Sequence, residues 1–229
     1  MMTRILAAVA AVLLLAPASP AAAASAATDG ALDAAKKVTV ARIDGRLATL
    51  KAEGVAVRAA TRLSAGHKST LEGILAGSTE GLNALRSKVQ GETTLAAVKD
   101  DTRVMVDGYR VYLLVTPQVR LTIVADVEGS AIAALEDAYA TLSSAIEAAQ
   151  QAGKDVSAAK AQLAVLRTQI DAAAKGLAGV ADGLLAVKPG PDAAGIRSAV
   201  AGAKAKLLAV RSSIRQAAAV AKATRDLLK

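Results

Sequence analysis

Cysteine, phenylalanine and tryptophan are absent from this chain of 229 residues, histidine occurs once and tyrosine three times. Without cysteine there is no disulfide framework, no thiolate nucleophile, no cysteine zinc site and no lipobox anchor. Three tyrosines cannot build a platform on which nucleobases or sugars stack. The lone His67 leaves any metal site to be completed by carboxylates, and Glu72, five residues on, is poorly spaced to share a ligand with it; no cofactor is expected. Ser-nucleophile, zinc-helix, P-loop and dinucleotide motifs are missing as well, so the common enzyme classes lose support and the chain is read as no enzyme. Proline is confined to positions 17, 20, 117, 189 and 191, which leaves long stretches free to be helical.

The N-terminus has the three parts of a secretory signal peptide. Met1–Arg4 is a basic head, Ile5–Leu15 an apolar stretch and Ala16–Ala27 a tail of small residues and proline. Cleavage fits after Ala24 or after Ala27, and a secreted or envelope-associated product is expected. The apolar stretch is shorter than the ~20 residues a spanning helix needs. The next most apolar run, Val111–Val124, holds Pro117, Gln118 and Arg120 and reads as buried protein, so no transmembrane anchor is expected.

Beyond residue 27 apolar residues recur at alternating steps of three and four, the mark of helices that bury one narrow seam. The clearest seams are Val156, Ala159, Leu163, Leu166, Ile170, Ala173, Leu177, Val180, Leu184, Val187 and, after Lys188-Pro189-Gly190-Pro191, Ile196, Val200, Ala203, Leu207, Val210, Ile214, Ala217, Ala221, Thr224, Leu228. Earlier seams run through Val40, Ile43, Leu47, Leu50 and Val57, and through Leu71, Leu75, Ser78, Leu82, Leu85 and Val89. A third helix, with Leu95, Val98, Thr102, Met105, Tyr109 and Tyr112, is expected to continue past a kink at Pro117 as Val124, Val127, Ala131, Leu135, Ala138, Leu142, Ala145 and Ala149. Caps are expected at Ser64, Thr93, Asp155 and Pro191 or Asp192. The fold class is therefore all-α, with two three-helix bundles, residues 28–116 and 117–229, joined through the kinked central helix; a single folded-back bundle of four or five helices satisfies the same seams. A weak repeat with a period of 99 residues, pairing Leu71, Leu82 and Leu85 with Ile170, Ala181 and Leu184, accords with two halves.

The signal peptide, the Ala/Lys/Arg/Leu-rich helices, the patch Val106-Asp107-Gly108-Tyr109-Arg110-Val111-Tyr112-Leu113-Leu114 and the turn Lys188-Pro189-Gly190-Pro191-Asp192 resemble secreted alanine-rich helical proteins of high-GC Gram-positive bacteria. The resemblance implies secretion and a helical fold; no activity and no functional residue come with it.

Charge is the sharpest surface signal. Residues 25–150 carry 14 basic and 15 acidic side chains, whereas residues 151–229 carry 13 and 5. On the last helix Arg197, Lys204, Arg211, Arg215, Lys222 and Lys229 project within roughly 40° of one another. Either they pair with acids of a neighbouring helix, Glu128 being the best placed, or they form an exposed stripe for an anionic cell-envelope polymer, with non-specific nucleic acid as a further ligand. A structural spacer or partner-binding protein is the alternative, with no oligomeric state implied. A third reading is a carrier of apolar ligands that uses a small pocket beside the kink at Tyr109 and Tyr112. His67, in the first turn after Ser64, is expected to be exposed, and Asp100, Asp101, Asp107, Arg103 and Arg110 to form a solvated, locally paired face.

Overall fold

Why the helices form where they do is visible at their ends. The computed structural model describes the backbone of residues 20–229 and the side chains of 29–229; the expected apolar stretch Ile5–Leu15 lies outside the described residues. Helix α1 spans Pro20–Ala59, α2 Ala65–Gly91, α3 Leu95–Tyr109, α4 Thr116–Gln151, α5 Ser157–Leu177, α6 Val180–Leu185 and α7 Ala193–Asp226. Ser64 caps α2 by accepting from the His67 amide, and Asp192 caps α7 by accepting from Gly195. Thr94, the residue after the expected Thr93, caps α3. At α5 the Asp155 carboxylate accepts from the Ser157 amide at 2.9 Å, although Val156 holds the cap position. Between α5 and α6 the seam continues but the backbone does not: Gly179 takes φ +67°, a left-handed conformation that glycine adopts without steric cost.

The molecule is all-α, built as two three-helix bundles. Helices α1, α2 and α3 enclose one core, in which Ile43, Leu50, Val57, Leu71, Leu82, Val89, Val98 and Met105 are almost fully buried. Helices α4, α5 and α7 enclose the second around Leu166, Ile170, Ala173 and Ala217. A smaller cluster of Ala125, Val180, Ala181, Leu184, Ala203 and Leu207 sits between α4, α6 and α7. All six residues of the 99-residue repeat are buried, but Leu71, Leu82 and Leu85 share one core whereas Ile170 lies in the second core and Ala181 and Leu184 in the smaller cluster.

The central interruption lies upstream of Pro117. Arg110 adopts φ 43°, ψ 38°, and Val111–Val115 forms a π turn in which the Val115 amide bonds the Arg110 carbonyl and the Thr116 amide bonds that of Val111. Pro117 then falls in the first turn of α4, where a missing N–H costs nothing. The bend is thus made by the residues that prepare for the proline. A left-handed conformation is unfavourable for a side chain bearing Cβ by roughly 1–2 kcal/mol, and Arg110 offsets this with its guanidinium. Its Nε donates to the Gly190 carbonyl at 2.8 Å and its Nη2 to that of Pro191 at 3.1 Å, while Nη2 also pairs with Asp107 at 2.6 Å.

The seam of α4 differs from the expected one. Gln118, Thr122, Ala125, Glu128, Ile132, Leu135, Leu142 and Ile146 are buried, whereas Val127 is 44 % exposed. Leu135 and Leu142 lie on the expected seam; elsewhere the buried line runs one residue on, through Ala125, Glu128, Ile132 and Ile146, and three of its positions are polar. Gln118 shows how such a residue is satisfied: its Nε2 donates to the Leu184 carbonyl at 2.9 Å and to that of Val187 at 3.0 Å. Gln118→Leu keeps the volume and leaves both carbonyls without this partner, so it is expected to lower unfolding stability by about 1–3 kcal/mol, measurable by denaturant titration.

Candidate anion-binding face and polar junction

Heptad spacing carries a flanking residue of α7 along one line of the bundle surface. Arg197, Lys204, Arg215 and Lys222 are exposed, and among the described residues none of them takes part in an ion pair. They project within roughly 20° of one another over about 38 Å of helix. The two other stripe residues are engaged. Arg211 Nε donates to buried Glu128 at 2.7 Å, and Lys229 pairs with Asp226 one turn back at 2.6 Å, an arrangement that holds the Asp226 carboxyl below its usual range. The six residues therefore divide into four open cations and two paired ones. On α5, Arg167 is held by Glu136 through two bonds of 2.6 Å and by Asp171, with the Tyr139 ring beside it.

Tyr109 and Tyr112 do not come together. The Tyr109 ring lies on Gly81 of α2, where an added Cβ would sit 2.7 Å from Cε1, and burial pushes its hydroxyl above the usual phenol value. Tyr112 is 56 % exposed and faces α1, with the Arg46 guanidinium 5.2 Å from its ring centre. The left-handed Arg110 between them turns successive side chains toward different helices, which a continuous helix would not have done.

The acidic residues of α3 are also more differentiated than expected. Asp101 is buried and receives Lys88 of α2 at 2.5 Å. That bond raises the Lys88 ammonium above its usual value.

Where the two bundles meet, charged side chains cross from one to the other. Arg120 of α4 reaches buried Glu53 of α1 at 3.1 Å. The Ser64 amide donates to Asp126 Oδ2 at 2.6 Å. His67, expected to be exposed, is instead half-buried against α4 and α6: its Nδ1 lies 2.8 Å from Asp126 Oδ1 and its Nε2 3.3 Å from Asp182 Oδ1. The two carboxylates lie on opposite sides of the ring, and among the described residues no group of three His, Cys, Asp or Glu could hold a metal ion. Sequence spacing gave no sign of this cluster, because His67 is 59 residues from Asp126 and 115 from Asp182.

No family model, no curated protein and no solved structure matches the chain. Among the described residues, no helix is long and apolar enough to cross a membrane.

Proposed function

We propose that the chain is a secreted, envelope-associated binding protein without enzymatic activity, and that it docks a linear anionic polymer along the basic face of α7. The observation that carries this reading is the set of four exposed cations, Arg197, Lys204, Arg215 and Lys222, aligned on one line and free of ion pairs among the described residues. A side chain that only solubilises a helix has no need of this alignment, whereas a polymer with charges along its length meets all four at once. Point charges without aromatic neighbours suit phosphate groups better than sugar faces. The N-terminal segment read as a signal peptide supplies the location.

The test compares the mature chain with Arg197→Gln/Lys204→Gln/Arg215→Gln/Lys222→Gln on phosphate-rich wall polymer. Four released counterions imply that affinity falls roughly 10²-fold between 50 and 200 mM salt. The variant should lose most of its binding and keep its melting temperature, since none of the four supports the core. Lys37→Gln/Arg42→Gln/Lys51→Gln/Arg58→Gln on α1 removes the same charge from exposed positions and should bind nearly as well as the parent. Equal losses in both variants would reduce the effect to net charge and overturn the proposal.

A structural spacer is the second reading, favoured by the bonds that cross the junction. It predicts no polymer binding at any salt concentration.

A further inference from the structure

His67 is the only histidine of the chain, and with residues of α4 and α6 it lines a cavity of about 300 Å³. The charged groups around its ring are Asp126 from α4, Asp182 from α6 and, from the α1–α2 connector, Arg62, which lines the same cavity. Both ring nitrogens face carboxylate oxygens. A neutral imidazole carries a single N–H, so it can donate to one of them while its lone pair confronts the other; only the imidazolium donates on both sides.

The two carboxylates are not equivalent. The Asp126 side chain is 13 % exposed and already fixed by the Ser64 amide, and it faces Nδ1 with both oxygens, at 2.8 and 3.0 Å. The Asp182 side chain is 81 % exposed and makes the longer contact, on Nε2. A neutral ring therefore keeps its hydrogen on Nδ1 for Asp126 and presents a lone pair to Asp182.

We infer that His67 is a proton-operated latch on α6. Charged, its ring bridges Asp126 and Asp182 and ties the first turn of α6 to α2 across the bundle junction. Neutral, it stays with Asp126 and releases Asp182. Helix α6 is suited to such a device because it is short and set off from α5 by left-handed Gly179. Its far end is held independently by the two Gln118 bonds to the Leu184 and Val187 carbonyls. Release therefore loosens the turn that holds Asp182 and leaves the end buried against the cores in place. Acid closes the latch, and loss of the second ring proton opens it.

The Gly183 amide, which bonds the Gly179 carbonyl at 3.0 Å, reports on this turn. Its hydrogen exchange is measured by NMR in the full chain at pH 5.5 and 7.5 and corrected for the intrinsic pH dependence of exchange. Protection about two- to fivefold higher at pH 5.5 is expected, the size of one ion pair with an exposed partner. Its midpoint should coincide with the titration of the His67 ring signals, which belong to a single residue and are unambiguous. Asp182→Asn, a surface change that leaves the core intact, supplies an amide able to donate to the neutral nitrogen, so protection should become independent of pH while the ring still titrates. His67→Gln should likewise abolish the step. A flat profile in the parent chain, or a step that survives in either variant, overturns the latch.

Discussion

Leu166→Ala is expected to cost about 2–5 kcal/mol of unfolding stability, read from denaturant or thermal unfolding. Leu166 is fully buried on α5 among Leu163, Ile170, Ala173 and Ala217. Alanine-rich helices approach closely but offer few long side chains that could swing into the space left behind. The cavity should therefore relax poorly, which places the loss in the upper part of that range. A Leu166→Ala protein that melts with the parent would show that the α5 seam does not carry the second core.

Arg211→Ala has a comparable expected effect for an opposite reason. It leaves the carboxylate of buried Glu128 without the guanidinium that now lies 2.7 Å away. Stranding a buried charge costs several kcal/mol, and because the arginine side of this pair is open to solvent a loss of about 3 kcal/mol is expected, at the low end. Adding Glu128→Gln removes the stranded charge and should recover much of the loss, so a double-mutant cycle in thermal unfolding isolates the pair. Any loss of polymer affinity in the single variant should be small beside that of the four-cation variant, because Arg211 is already engaged. A single variant as stable as the parent would mean that Glu128 finds solvent or another donor.

The contrast between α5 and α4 explains how much of this architecture was legible in the sequence. Along α5, α6 and α7 every seam position expected from the 3–4 rhythm is buried or half-buried, since those seams are apolar almost throughout. On α4 the buried line passes through Gln118, Thr122 and Glu128, and a rule that equates burial with apolarity steps onto Val127 instead. Pairing of Glu128 with the stripe could be anticipated, because its place on the flank of α4 follows from helical arithmetic. The junction could not: His67, Asp126 and Asp182, like Glu53 and Arg120, look like ordinary surface residues in one dimension, and the contacts they make depend on how far one bundle slides past the other. Tyr112 went astray for a local reason, the left-handed conformation of Arg110, a residue type that seldom adopts it, two residues after Gly108.

The overlap of the bundle ends has a mechanical consequence. The connector after α1 reaches Asp126 on α4, while the turn before α7 reaches back to Arg110, so the two ends pass each other along roughly 24 Å of the central chain. A joint of this kind is spliced like two overlapping timbers, and a bending load is shared by several chain crossings instead of falling on the π turn alone. The two bundles should therefore move as one body. Whatever anchors the N-terminal end would thereby set the compass bearing of the cations on α7.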